Sequence, residues 1–585
     1  MNTTIGTKGQ IVIMPLDERP CNFHFPYRLA RSTDYEPLRP PIEWMGQKKQ
    51  PADTSRLWTW TEMETRQASG AVLSLDTLLY GGIVPSRLHE WSSEEIAERL
   101  RYLRTLKENN PQLIIYAFQL IMRCPQYSSS DEEPDYYADW GREIFRKGYL
   151  EHLSEVQSLT TEEQAELDDI NSRLPQEVLD DYLGRRAINR EANRLALEYV
   201  ADGTIDFLIF PQDDSAPYGY TARDQQLVRA GIRERQLGTR VYMYPGADEV
   251  GCTLVARMVN TLNNAVPLIY PRFGSVEGPH IIPAYEDRRL YETLKYQIIA
   301  AGGIVADSSA EADIVLLVNT PGEKMGEAVN QGAPSANYDT ERTVVELVEY
   351  AAYLLSKHDR KQEAAYRATY LAAEEAPQIE NDASFANDIA DELANGRKIH
   401  ARDEMDAADA TSYESHSLPQ HTAPATDRRP PQRPVVAIAD IAYANGGDLE
   451  LLDLLRQKGI LYRLAGYAGW NTSSNTLGTV IAQSMLYAQY GDSRRHDHFL
   501  ALRYVEDFGY DSVVRKALSN GPIQELGLDK FRLDGPRGLV SEMVRTGLEQ
   551  FIARYLTQEG HTIEIRDCYM PWNRMFEVGL SVRLQ

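Results

Sequence analysis

Carboxylates recur in this chain at the points where apolar runs give way to loops. Pro211-Gln212-Asp213-Asp214 follows the run Phe207–Phe210, and Gly246-Ala247-Asp248-Glu249 follows Val241–Tyr244. Pro15-Leu16-Asp17-Glu18-Arg19-Pro20-Cys21-Asn22 follows Ile11–Met14, and Asp76 with Tyr80-Gly81-Gly82 follows Ala71–Leu75. Further along, Gly469-Trp470-Asn471-Thr472 with Asn475 follows Leu461–Ala465. Acidic pairs beside Arg, Asn and aromatic side chains suit acid–base chemistry on a hydroxylated substrate. The same oxygens would suit a hard divalent cation. The candidate catalytic carboxylates are Asp213, Asp214, Asp248 and Glu249. The candidate substrate-binding residues are Asp17, Arg19, Asn22, Asp76, Tyr80, Gln212, Trp470, Asn471 and Asn475.

Each has a structural alternative. Asp213 and Asp214 are adjacent, so in an extended chain their side chains diverge, and one of them is expected to work while the other supports it. Asp248 and Glu249 precede a helical pattern and could complement its dipole. Asp17, Glu18 and Arg19 could form an ion pair, although the prolines around Arg19 fix its backbone for a more specific use. Trp470 could stack on a sugar ring, or fill a core. The glycine pairs match neither G-x-G-x-x-G nor the phosphate-loop pattern, which disfavours a nucleotide site. No G-x-S-x-G elbow is present, and the histidines are too few and scattered for a transition-metal site.

The elements that must position these loops read as buried strands alternating with amphipathic helices. Besides the runs above, Leu113–Phe118, Leu268–Tyr270, Ile314–Val318 and Val435–Ala439 are continuously apolar, as parallel strands covered on both faces are. Glu36–Leu38 and Ile304–Ala306 are two weaker strands. Helices are expected at Ser92–Lys107, which opens with a Ser92/Glu95 capping box, and at Arg223–Glu234, Thr253–Leu262, Tyr285–Ala300, Thr340–Leu355 and Leu449–Lys458. The alternation predicts an α/β fold. Two doubly wound parallel-sheet domains are favoured over the alternative, a (β/α)8-like barrel, because the strand count exceeds eight. The expected division is residues 1–265 for an N-terminal domain carrying the acidic loops and 266–478 for a second α/β domain. That second domain carries a polar insertion at about 357–433, ending Pro-rich. Residues 479–585 form a mainly helical region closed by a hairpin.

Composition narrows the partners. The chain has 585 residues, enough for two or three domains, and a formal net charge of −25. It carries no Lys/Arg run to overcome that charge locally, so neither nucleic acid nor an anionic membrane surface is an expected partner. Nothing approaches an apolar span of about 20 residues, and the N-terminus lacks a signal-like apolar stretch. The four cysteines are scattered with no C-x-x-C pair, as suits a reducing cytoplasm. A small carbohydrate is the expected partner, and a homo-oligomer is compatible with all of this.

Taken as a set, the loops resemble the signatures of an uncharacterised bacterial protein family, a domain of unknown function. They are Pro15-Leu16-Asp17-x-Arg19-Pro20-Cys21-Asn22, Ser74-Leu75-Asp76-x-Leu78-x-Tyr80-Gly81-Gly82, Pro211-Gln212-Asp213-Asp214, Gly246-Ala247-Asp248-Glu249 and Gly469-Trp470-Asn471-Thr472. That resemblance spans about residues 8–580 and implies no activity. The Asp213-Asp214, Asp248-Glu249 and Trp470-Asn471 pairs are also similar in type to those of substrate-assisted N-acetylhexosaminidases, although the strand count departs from the barrel of those enzymes. The expected function is a glycoside hydrolase needing no cofactor, with N-acetylhexosaminides as the finer expectation for its substrate. The alternatives are a divalent-metal-dependent hydrolase or isomerase using Asp17, Asp76, Asp213 and Asp248, and a sugar-binding protein without turnover.

Overall fold

A computed structural model describes residues 7–213, 215–322, 324–331, 341–357, 434–558 and 560–585. Asp214 and nearly all of the polar insertion lie outside the described residues.

The N-terminal part builds a six-stranded parallel sheet from β1 (Gln10–Met14), β2 (Glu36–Leu38), β3 (Gly70–Ser74), β4 (Ile114–Phe118), β5 (Phe207–Gln212) and β6 (Val241–Pro245), in the order β2-β1-β3-β4-β5-β6. A second parallel sheet holds β7 (Leu268–Phe273), β8 (Ile304–Val305), β9 (Ile314–Asn319), β10 (Val435–Asp440) and β11 (Gly466–Ala468), in the order β11-β10-β9-β7-β8. Numbered within its own sheet, each begins 2-1-3-4-5, a doubly wound arrangement whose order reverses between the first and third strands. The strands thus form two open sheets, and the barrel alternative is set aside.

The strands are buried throughout because helices cover both faces. Ile11, Val72, Val255, Leu317, Ile438 and Ile481 belong to one continuous core running through both sheets. The other face of the first sheet has its own core, with Leu73, Leu100 and Leu197. Two helices join the halves. Val250–Leu262 leaves β6 and packs on β3 and β4, and Ser473–Tyr490 leaves β11 and packs against it. The domain boundary expected at residue 478 therefore falls inside a helix, in its contact with the first half.

Several expected elements shift. The run Leu461–Ala465 is a 3₁₀ turn at Leu461–Arg463, and the strand comes after it at Gly466–Ala468. Leu461 and Leu464 satisfy their hydrophobicity as buried plugs, and Gly466 lets the following helix approach closely. The segment Ser92–Lys107 keeps its capping box but divides into Ser93–Leu100 and Tyr102–Asn109. The helix expected from Tyr285 begins only at Leu290, since the chain from 274 to 289 forms a loop over the strand ends. Between β4 and β5 lie three helices, Tyr137–Val156, Thr161–Arg173 and Gln176–Ala201, with a small core of their own.

Beyond the second sheet the chain is mainly helical, including a stretch of wide π-type turns at Tyr504–Val514. It closes in the antiparallel hairpin of β12 (Ile563–Tyr569) and β13 (Gly579–Leu584). No described helix is long and apolar enough to cross a membrane.

Candidate active site

The loops beyond the carboxyl ends of the two sheets face one another across a cavity of about 590 Å³. This is where doubly wound proteins bind ligands. The first sheet contributes Arg19 after β1, Arg87 from the segment after β3, Arg123 to Glu133 after β4, Gln212 and Asp213 after β5, and Gly246 to Asp248 after β6. The second sheet contributes Tyr285 and Glu286 after β7, Asn445 after β10, and Asn471, Thr472 and Asn475 after β11. Phe531, Arg574 and Phe576 reach in from the C-terminal region.

The β1 loop is built around Arg19. Pro20 starts a short helix, and Arg19 stays extended at its N-cap position. Its guanidinium then turns back. It donates to Asp17 Oδ2 at 2.9 and 2.7 Å, and to Asp248 Oδ1 at 2.6 Å. Asn22 Nδ2 donates to the same two aspartates, at 3.0 and 2.9 Å. Residues 226 or more positions apart thus share one buried network, so Asp17, Arg19, Asn22 and Asp248 do converge. Charge-assisted, multidentate bonding of this kind fixes geometry strongly. Trp572 flanks the Arg19 guanidinium, 4.6 Å from its ring centroid, and donates from its indole N–H to Glu18 at 2.5 Å. Burial pushes the Glu18 carboxyl up to about 7.

A second network surrounds Asp213. Arg87 donates to Asp213 at 2.9 Å and to Glu133 at 3.1 Å, while Arg123 donates to Glu133 at 2.8 Å and Glu132 at 3.1 Å. Arg574 pairs with Asp131 at 3.1 Å and with Glu132. Although burial pushes Glu132 up, Arg123, Arg574 and Arg87 outweigh it and hold the carboxyl well below its ordinary range. The β4 loop carrying these residues is held from behind by Arg186, fully buried, which donates to the carbonyls of Arg123 and Met122 at 3.0 and 2.9 Å.

Glu286 faces the cavity from the second sheet. Its carboxylate accepts from the backbone N–H and the hydroxyl of Ser474, both at 2.8 Å, at the start of the Ser473–Tyr490 helix. Burial nevertheless pushes this carboxyl up to about 7. Nearby, Asn471 adopts a left-handed backbone with φ of 52°, and the buried side-chain oxygen of Asn475 has no hydrogen-bond partner. Gln212 lies on the wall and donates to Asp287 at 3.3 Å.

Six expected residues do not line this cavity: Asp17 and Asn22, which sit behind Arg19 and Asp248 in the buried network, and Glu249, Asp76, Tyr80 and Trp470. Glu249 is wholly buried, accepting from Gln297 at 2.7 Å and from the Ala247 N–H at 3.0 Å, and burial raises it to about 8. Gly246 makes that fold-back possible: its φ is +130°, and a Cβ there would meet the Glu249 carboxylate at 2.1 Å. Asp76 accepts from the Leu120 N–H at 2.9 Å inside the wall, and burial raises it to about 7. Tyr80 is buried against His89, with ring centroids 4.6 Å apart. Trp470 packs edge-on against Phe25 and donates to Thr479, bordering only a side chamber of about 30 Å³. Among the described residues no group of three His, Cys, Asp or Glu is gathered as a metal site would require.

Sequence reading missed Arg87, Glu132, Glu133, Glu286 and Arg574 as members of the site. Glu132 and Glu133 sit in an ordinary-looking acidic loop, and Arg574 follows a turn in the hairpin. Trp572 and Asn573, at φ of 52° and 57°, both take a left-handed backbone at that turn.

No curated protein and no solved structure matches the chain. A model of a protein family of unknown function, DUF4127, matches residues 11–364 and 399–581. The two matched stretches carry both sheets and the hairpin, and the chain belongs to the DUF4127 family.

Proposed function

We propose that this protein is a glycoside hydrolase acting on a carbohydrate held between the two sheets. One observation carries the proposal: a single cavity holds arginine-bound carboxylates on one side and a proton-retaining carboxyl on the other. Asp213 and Asp248 are ion-paired to Arg87 and Arg19, whereas burial pushes Glu286 up to about 7. Glycosidic cleavage needs this contrast, an acid for the leaving oxygen and a carboxylate for the water or the anomeric carbon.

In this scheme Glu286 gives its proton to the glycosidic oxygen as the C–O bond breaks. Water adds at the anomeric carbon, and its proton passes to Asp213. Asp248, fixed by Arg19 and Asn22, binds sugar hydroxyls beside it. The amides of Gln212, Asn471 and Asn475 add donors and acceptors suited to hydroxyl groups. An N-acetylhexosaminide is the finer form of the same proposal.

The test is turnover of a panel of aryl glycosides. Asp213→Asn and Glu286→Gln should each lower kcat by at least about 100-fold, the low end for losing general acid–base catalysis. Glu286→Gln should also remove the alkaline limb of the pH–rate profile near 7. Absence of turnover across the panel, or wild-type rates in both variants, would sink the proposal.

A further inference from the structure

Four aromatic side chains stand at the mouth of the cavity while remaining open to solvent. Tyr127 is 53% exposed, Tyr285 49%, Phe531 53% and Phe576 43%, and all four border the cavity. They come from four separate segments: the loops after β4 and β7, the chain before the Leu539–Phe551 helix, and the hairpin turn. Large exposed apolar side chains scattered singly are ordinary, but several gathered round a polar cavity mark a binding surface. The interior is charged and amide-lined, so the chemistry changes from polar depth to aromatic rim. Tyr285 strengthens the point. It holds a left-handed backbone with φ of 69°, costly for a tyrosine, and its hydroxyl is tied to Glu327 at 2.8 Å, which keeps the ring at the rim.

A ligand with hydroxylated edges and apolar ring faces matches both zones. A cavity of 590 Å³ falls in the range that encloses ligands of drug-like size, larger than one sugar ring. We infer that the aromatic rim is a second subsite, and that the substrate is an oligosaccharide of at least two rings, one held in the polar depth and the next against Phe531 and Phe576. This rests on the carbohydrate proposal above and adds chain length to it. Aromatic faces contribute through ring stacking, and Lys530 and Arg574, at 5.1 Å from the Phe531 and Phe576 rings, hold cationic groups near them.

Calorimetric titration of the full chain with cello- and chito-oligosaccharides of one to four rings tests the inference. Affinity should rise about tenfold between one ring and three, the scale of two stacking contacts. In the Phe531→Ala/Phe576→Ala double variant that rise should fall to within about twofold, and Phe531→Tyr, which keeps a ring, should retain it. Both positions are exposed, and an unchanged melting curve checks that the double variant is folded. If single-ring sugars bind but length adds nothing, or the double variant keeps the full rise, the second subsite is wrong and the carbohydrate proposal stands. If no sugar of any length binds, the carbohydrate proposal fails and the subsite fails with it.

Discussion

Arg19 shows how one side chain can decide a site. It is buried and lies between Asp17 and Asp248, and without it two carboxylates would face each other with only the Asn22 amide between them. Removing one partner of such a buried network costs about 3–5 kcal/mol, chiefly through the charges left uncompensated. Arg19→Met should therefore lower the stability measured by urea unfolding by that order, whereas Arg19→Lys should lose less but still fail to bridge both aspartates. A loss under about 1 kcal/mol would mean that water or another cation already satisfies them. At this scale the sequence was informative where a motif was locally constrained. The prolines around Arg19 and the glycine before Asp248 each signal a fixed backbone. It was silent on Glu286, which follows no strand directly, and on Glu132 and Glu133, whose importance comes from joining Arg123 nearby in the chain to Arg87, 45 or more positions away, and to Arg574 of the C-terminal hairpin.

At the scale of elements, two helices carry the alignment of the halves. Gly478 on the Ser473–Tyr490 helix sits where a Cβ would come within 2.2 Å of Glu249 and 2.9 Å of Thr253 Oγ1. Thr253 and Glu249 belong to the start of the Val250–Leu262 helix, buried on both sides, so neither can step aside freely. Gly478→Ala should thus destabilise the protein by about 1–3 kcal/mol despite alanine's better helix propensity, read as a lowered melting temperature. A raised melting temperature would show slack in that contact. Strand existence was legible from continuous apolar runs, because strands covered on both faces leave no alternation to confuse. The errors came where an apolar run served something else, as with the buried plugs Leu461 and Leu464, and where long helices between β4 and β5 are too polar to declare a face.

The molecule as a whole buries an unusual set of carboxyl groups. Glu249 is raised to about 8, and Glu286, Glu506 and Asp76 to about 7, each chiefly by burial. Over the window from their ordinary values near 4 to these raised ones, the folded chain holds protons that the unfolded chain has released. Their contribution to stability is then complete at the acid end of that window and lost as pH rises through 7 to 8. Glu132, held low by its arginines, works in the opposite sense and is lost only in stronger acid. The urea midpoint should therefore be higher at pH 5.5 than at pH 8.5. An equal or higher midpoint at pH 8.5 would show that these groups are ionised and solvated in the folded protein. Doubly wound halves were readable at this scale from the short strand Ile304–Val305 between a helix and β9, but how the two sheets face each other was not, since no local pattern encodes it.

The hairpin turn at Trp572 and Arg574 has a consequence for how the protein comes into being. Arg574 from that turn lines a cavity that Arg19 lines from near the beginning of the chain, and Trp572 packs beside the Arg19 guanidinium. During translation, the first sheet can form while the ribosome is still making the second, yet the growing chain has no finished pocket. The cavity would be completed in one step, when this hairpin emerges, and a product terminated before it could fold in part without a finished cavity.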